Sequence, residues 1–356
     1  MKTAVFLGAG ASAAEGAPIQ SNLFRDYFEA TSFASNNNNS EMNHELGDFF
    51  RYFFGVDLRF VNPRDVTFPT FEEALGILDM AEKRKESFRG YNLDTITHKK
   101  DKIRIIHQYL VLLMAKSIHD NLETYNGYHN ELINKLKLKS QIKDTVFVST
   151  NYDILIDNAI ASHYPDITID YGLDFTNYKN QGDWAPPDNN AVKLYKMHGS
   201  LNWLYCTTCN NLKLTPREKG ILRLISNVEN ATCSYCNSIV SPIIVPPTYF
   251  KNMSNVFLNT IWYNIEKELR EIDHIIFCGY SFPDSDMHLK YLLKRIETNR
   301  NGSLKISVMN HHPGKSVKVR REEEERFKRF FRSEVLYRKK GFREFSNNPL
   351  YYFRNS

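Results

Sequence analysis

The sequence predicts an α/β fold: a parallel sheet with helices on both faces, a helical insertion and a small four-cysteine zinc ribbon. Three observations predict it. Short apolar runs of strand type recur at both ends of the chain and alternate with helical stretches, the pattern of a parallel sheet covered on both faces. Residues from about 41 to 140 carry helical periodicity. Four of the five cysteines sit in two CxxC pairs, which suits a metal site in a reducing compartment better than a disulfide framework.

Taken in order, the chain opens on a predicted strand, Thr3 to Leu7, that runs into Gly8-Ala9-Gly10-Ala11-Ser12 and then a helix. A strand ending in a glycine turn that opens a helix is how Rossmann-like proteins hold a nucleotide pyrophosphate. Gly8 permits the tight turn, Gly10 allows close backbone approach, and Ala13 stands where a small residue lets helix and strand pack closely. The simpler alternative is a glycine-rich turn without a ligand. Two details argue against an ordinary dehydrogenase. Gly16-Ala17-Pro18 cuts the first helix short, and the acidic residue expected about 20 positions on has no second strand to sit on.

A polar break at Ser35 to Ser40 follows. Thr70-Phe71-Glu72-Glu73 then has capping-box spacing, with Phe71, Leu75 and Leu78 on one face. Ile103, Ile106, Leu110 and Leu113 form a second apolar stripe and read as core. Further strands are predicted at Thr145 to Ser149, Ile167 to Tyr171 and Lys193 to Met197. Beyond the cysteine-bearing segment come Ile243 to Val245, a helix over Val256 to Glu271, and strands at His274 to Gly279 and Leu304 to Met309. A charged helix, Val317 to Arg332, and a last strand near Val335 to Arg338 are expected to close the chain. The implied division is a Rossmann-like domain (1–30, 141–205, 241–356), a helical insertion (31–140) and a zinc-ribbon module (206–240).

Composition excludes several classes. Hydrophobic content of 42% and charged content of 24% are those of a soluble globular chain, and the net charge of +5 does not by itself imply nucleic acid. The longest apolar runs, such as Tyr109 to Ala115, are far too short to span a membrane, and a targeting segment is not expected. A cytoplasmic location is expected. The abundance of Phe and Tyr suits a large core and a possible subunit interface.

Four segments bearing ligand-type residues fall at the carboxyl ends of predicted parallel strands: Gly8 to Ser12, Ser149 to Asp153, Gly279-Tyr280-Ser281, and Asn310-His311. In an open α/β sheet the ligand crevice lies at that edge. Each segment could be turn chemistry alone, since Gly, Ser, Asn and Asp favour turns.

These residues carry a resemblance to the sirtuin superfamily. Gly8, Ala9, Gly10, Ser12, Gly16 and Pro18 match its GAG-x-S-x-x-x-G-x-P opening, and Ser149, Asn151 and Asp153 its [ST]-x-N-x-D segment. His198-Gly199 matches its HG step. Cys206, Cys209, Cys233 and Cys236 match its zinc ribbon, Gly279 and Ser281 its G-x-S turn, and Asn310 its late asparagine. The chain departs from the family's deacylases at Ile19-Gln20-Ser21, where they carry Asp-Phe-Arg. It departs again at Pro246-Pro247-Thr248-Tyr249, where they carry a peptide-receiving Phe-Gly-Glu. The helical insertion and the turn from Gly279 to Asp286 look instead like bacterial sirtuin-like NADases of anti-phage defence.

The resemblance implies NAD+ as substrate and hydrolysis of its nicotinamide–ribose bond to nicotinamide and ADP-ribose. Breaking that bond needs a group holding the carboxamide, a dipole positioning a water or ribose hydroxyl, and a base near neutral pH. Asp153, Asn151 and His198 suit these roles in turn. Gly8 to Ser12 would take the pyrophosphate, Ser281 and Asn310 the adenosine end, with Gly16, Pro18, Thr150, Gly279, Tyr280, Asp286 and His311 as further contacts. The alternative for Asn151 and Asp153 is an Asx turn capping the next helix. For the cysteines, structural Zn2+ is expected, and redox-active or unmetallated thiols are the alternative. An NAD-dependent protein deacylase and a non-catalytic subunit binding NAD or ADP-ribose remain as other functions. Expected partners are a second copy of the chain and a defence-system protein such as an ATPase or Argonaute-type subunit, without membrane or direct nucleic-acid contact.

Overall fold

A computed structural model describes residues 1–31, 41–93, 101–122, 125–165, 167–175, 186–215, 232–238, 240–244, 255–300, 302–311 and 314–354. The polar break at 35–40 and the Pro246 to Tyr249 segment lie outside these residues. Two compact units are present, one formed by Met1–Ala17 with Thr124–Ser356 and the other by Pro18–Glu123.

The first unit begins with β1 (Thr3–Leu7) and α1 (Ala9–Glu15). Gly16 ends α1 in the left-handed region at φ 114°, and its N–H goes back to carbonyls of the last turn. The second unit holds α2 (Leu23–Ala30), α3 (Glu41–Phe54), α4 (Phe71–Arg84) and α5 (Lys102–Asn121). Its core is aromatic: Phe50 meets Phe24, Phe28 and Phe68 edge-on, Phe68 stacks on Phe28, and Phe71 lies tilted against Phe24. The capping box read from the sequence is made in both directions, with Thr70 Oγ1 accepting from Glu73 N at 3.1 Å and Thr70 N donating to Glu73 Oε2 at 2.7 Å. Ile103, Ile106, Leu110 and Leu113 are buried as expected.

The first unit resumes at α6 (Tyr128–Leu138) and continues through β2 (Thr145–Ser149), α7 (Leu155–His163), β3 (Ile169–Asp170) and β4 (Val192–Lys196). Next come β5 (Gly199–Cys206), β6 (Leu212–Leu214), β7 (Val240–Ile244), α8 (Val256–Leu269) and β8 (His274–Cys278). The last elements are α9 (Met287–Asn299), β9 (Lys305–Met309), α10 (Val317–Phe330), β10 (Val335–Arg338), α11 (Phe342–Asn347) and α12 (Pro349–Arg354). A seven-stranded parallel sheet runs in the order β10-β9-β8-β1-β2-β4-β3. Every residue of β1, β2 and β8 is buried, so both faces of the sheet are covered. The Rossmann-like class read from the sequence is therefore the observed one.

The structure differs from expectation in three respects. β5 and β6 were not legible, and β7 joins them in a separate antiparallel sheet of order β6-β5-β7 rather than extending the main one. The chain does not end at β10, because α11 and α12 follow and pack their Phe345 and Phe353 into the main core. The charged stretch of α10 makes the expected surface pairs Arg321–Glu325 and Lys328–Glu324, yet Glu323 between them turns inward and is buried.

Glu15 shows how α1 is fixed. Its buried carboxylate accepts from Gly127 N (2.7 Å), His129 N (2.7 Å) and His129 Nδ1 (2.8 Å), tying the end of α1 to the start of α6. Burial works to raise the Glu15 carboxyl, but the hydrogen bonds and charge of His129 outweigh it and hold the group below its ordinary value. The stabilisation is therefore present at neutral pH and is lost as pH falls through the lowered value. Glu15→Gln should cost about 1–3 kcal/mol at pH 7 and flatten the acid limb of stability against pH. Urea midpoints measured from pH 3 to 7 check both points.

Candidate active site

The topology brings five loops to one edge. β1 lies beside both β2, reached next in the chain, and β8, reached much later, so the strand order reverses at β1 and opens a crevice beyond its carboxyl end. Gly8 to Ser12 follow β1, Thr150 to Asp153 follow β2, His198 follows β4, Gly279 to Asp286 follow β8, and Asn310 follows β9.

The glycines at the floor answer first to packing. A Cβ on Gly8 would lie 2.6 Å from the Gly279 carbonyl oxygen, and one on Gly10 would lie 2.8 Å from Gly279 Cα. Gly279, at φ 65°, is itself confined to the left-handed region. The N–H groups of Gly8 and Gly10 donate to the carbonyls of Cys278 and Gly279, at 2.9 and 2.8 Å, and Ala11 N donates to Gly8 O at 2.9 Å. The turn after β1 is thus welded to the turn after β8. Ala9 and Gly10 remain exposed at the edge.

Above this floor Ser12, Asn151 and Asp153 form one cluster. Asn151 Nδ2 donates to Gly8 O (2.9 Å) and Ser12 Oγ (2.7 Å), and Ser12 Oγ donates to Asp153 Oδ2 (2.6 Å). Since the Gly8 carbonyl can only accept, the Asn151 amide orientation is fixed. Both its hydrogens are committed, and Oδ1 is the atom left to accept from a ligand. The other oxygen of Asp153 accepts from Leu155 N at 3.1 Å, so the Asx turn at the head of α7 and the contact to Ser12 exist together.

Behind the cluster lies a group that sequence reading missed. Lys196, fully buried at the end of β4, donates to the Asp153 carbonyl and pairs with Asp157 Oδ2 at 3.2 Å, while Tyr171 OH donates to Asp157 Oδ1 at 2.6 Å. The only signal was a lysine at a strand end, which reads more simply as a surface charge.

His198 is 2% exposed. Its Nδ1 lies 3.1 Å from the Thr150 carbonyl oxygen and its Nε2 lies 3.5 Å from Asp286 Oδ1. Tyr280 OH donates to Asp286 Oδ2 at 2.6 Å. Asn310 Nδ2 donates to the Tyr280 carbonyl at 2.8 Å and to Glu323, which also accepts from Tyr337 OH at 2.8 Å. A polar chain thus runs from Asn310 through Tyr280 and Asp286 to His198. Ser281 and His311 stand exposed at the same edge, whereas Gly16 caps α1 and Pro18 belongs to the second unit.

On the antiparallel sheet, the sulfur atoms of Cys206, Cys209, Cys233 and Cys236 lie within 4.8 Å of one another, so the four cysteines form a cluster able to hold a metal ion. Each CxxC is followed by an asparagine in the left-handed region, Asn210 and Asn237, both at φ 57°. Cys206 N and Cys233 N donate to the carbonyls of Asn211 and Ser238, closing two similar knuckles. The repeated Cys-x-x-Cys-Asn was visible in the sequence and unread.

Among the described residues no helix is long and apolar enough to cross a membrane. No curated protein matches the chain. Solved structures with a similar course include "The Structural basis for Sirtuin Substrate affinity" at 14% identity, covering 100% of this chain and 94% of that one with a TM-score of 0.42. Another is "Structural Basis for the Mechanism and Regulation of Sir2 Enzymes" at 12% identity, covering 99% and 92% with a TM-score of 0.44. A family profile described as a SIR2-like domain matches residues 145–334. That match takes in more than half of the chain, which therefore belongs to the SIR2-like family of the sirtuin superfamily.

Proposed function

We propose that this chain hydrolyses NAD+ at the nicotinamide–ribose bond, yielding nicotinamide and ADP-ribose, and that it serves as an NAD-depleting effector in defence against phage. The observation that carries the reading is the Ser12–Asn151–Asp153 cluster set beside His198 at the switch point of the sheet. In this reading the welded turns after β1 and β8 flank the pyrophosphate, Asn310 and Ser281 the adenosine end. Asp153 holds the carboxamide, its spare capacity limited by Ser12 and Leu155. Asn151 Oδ1 accepts from the attacking water or a ribose hydroxyl, and His198 takes the proton.

Hydrolysis is favoured over deacylation because the chain lacks the deacylases' Asp-Phe-Arg after its opening proline. Gln20 at that place instead donates to Glu72 within the second unit, at 2.7 Å. Incubation with NAD+ alone and with an acyl-lysine peptide separates the two. Nicotinamide and ADP-ribose at equal rates with and without peptide are expected; O-acyl-ADP-ribose formed only with peptide would point to deacylation, and tight NAD+ binding without products to a binding subunit.

The four cysteines are proposed to hold structural Zn2+. Tetrahedral thiolates at a Zn–S distance of about 2.3 Å sit roughly as far apart as these sulfurs, and Tyr235 N and Asn211 Nδ2, which donate to the sulfurs of Cys233 and Cys209 at 3.4 and 3.1 Å, would support their charge. Such a closed site adds stability and no catalytic position. Metal analysis should find about one zinc per chain. Cys236→Ser should lose the metal and unfold the β5–β7 sheet first, seen as early proteolysis near residue 206. Stoichiometric absence of zinc from the folded protein would rule the site out.

A further inference from the structure

The turn after β8 contains two departures from ordinary backbone economy. Asp286 stands at the N-cap of α9, the position where an aspartate ordinarily accepts from the helix's first N–H groups, yet its side chain makes no capping bond. Three residues into the turn from Gly279, Phe282 sits in the left-handed region at φ 54°, unusual for a bulky side chain. Its ring is buried against Phe327 (centroids 4.8 Å apart), and Lys290 Nζ fixes the turn's rim through Asp284 at 2.7 Å. Forgoing a cap and holding a phenylalanine at positive φ both cost stability, and both fall in the turn that carries the Asp286 carboxylate. The loops that carry Asp286 and His198 follow β8 and β4, strands three spacings or about 14 Å apart in the sheet, and they converge so that this carboxylate meets His198.

At His198 both ring nitrogens face oxygens. The Thr150 carbonyl at Nδ1 can only accept, and the Asp286 carboxylate faces Nε2 at an ion-pair distance of 3.5 Å. Hydrogens on both nitrogens satisfy both partners; a neutral ring would leave one lone pair against an acceptor. We propose that Asp286 is the positioning residue of His198, with Tyr280 fixing its far oxygen, so that the imidazole and carboxylate hold a proton as a pair and His198 becomes a base only after that proton leaves. This rests on the hydrolytic reading above. In the step itself the water oxygen bonds to the ribose anomeric carbon as the bond to nicotinamide breaks. The bond's electron pair neutralises the pyridinium ring, and the water proton passes to the imidazole.

Among the described residues, the ionisable groups near the pair include Tyr280 after β8, Asp153 and Tyr152 after β2, with the Tyr152 ring 6.4 Å from the imidazole, and Asp284 with Lys290 on the α9 side. Lys196 and Asp157 lie beneath the β2 loop. A neighbouring carboxylate favours the charged imidazole, so Asp286→Asn should release the proton at lower pH, by about one pH unit or more. Tyr280→Phe should act in the opposite direction, because the lost hydroxyl leaves Asp286 a stronger partner for the cation.

Two readouts test this on the full chain. The acid limb of kcat for NAD+ hydrolysis is expected to move down in Asp286→Asn and up in Tyr280→Phe. The His198 Cε1–H resonance, assigned by its loss in His198→Gln, should titrate with the same two signs whether or not the protein turns over NAD+. Opposite shifts support the pairing; a His198 titration unchanged in both variants overturns it. If the resonance shifts as expected but wild-type protein releases no nicotinamide, the hydrolytic reading fails and the pairing stands. If Asp286→Asn fails to fold, the sign of the Tyr280→Phe shift decides.

Discussion

Asn151→Ala is expected to lower the rate of nicotinamide release from NAD+ by on the order of 10²–10⁴ while leaving the protein folded. The size follows from what Asn151 does. Its two amide hydrogens go to the Gly8 carbonyl and Ser12 Oγ, and in the proposed reaction its Oδ1 accepts from the attacking water or a ribose hydroxyl. Alanine removes that acceptor and also the amide that donates to the Gly8 carbonyl and to Ser12 Oγ. Asn151→Asp is the sharper control. It keeps the volume but presents an acceptor-only group to the Gly8 carbonyl, so it should be as inactive as alanine and less stable. Equal activity in all three proteins, measured by chromatography of nicotinamide, would remove Asn151 from the reaction.

Lys196→Met should be among the most damaging single changes to stability outside the four-cysteine cluster, at about 3–5 kcal/mol. Lys196 and Asp157 are both buried, and deleting the lysine strips the Asp157 carboxylate of its cation and leaves it the Tyr171 hydroxyl as donor. It also frees the Asp153 carbonyl, and with it the loop that carries Asn151. The double variant Lys196→Met with Asp157→Asn removes the stranded charge and keeps an acceptor for Tyr171, so it should recover more than half of the lost stability. Urea unfolding checks this. A single-variant loss below about 1 kcal/mol would show that the pair behaves like an exposed one.

The fold was legible wherever burial on both faces forced uniform apolar runs. TAVFL, TVFVS and HIIFC need no context to read as inner strands, and their alternation with helices implies parallel order. β5 was not legible because Asn202 and Ser200 interrupt GSLNWLYC, and these polar residues are buried by bonding to one another and to the β6 connection. The positions of the strand-end residues were legible for the same topological reason that makes the edge a crevice. Their pairings were not. Nothing local says that Asp286 forgoes its cap for His198, that Lys196 lies inside, or that Glu323, within a run of four glutamates, turns toward Asn310. Each of these depends on a contact between segments far apart in the chain, which periodicity and spacing do not encode.

The same long-range logic revises the opening glycines. Their form is set by backbone approach to Gly279, so the Gly-x-Gly turn here marks a seam between two halves of the sheet.

The most direct test of NAD+ consumption at this site is the cellular NAD+ level after induced expression of the wild-type chain beside His198→Ala, at matched protein abundance. Depletion by the wild type, and none by His198→Ala, is the predicted result. Unchanged NAD+ with both proteins, or equal depletion by both, would contradict it.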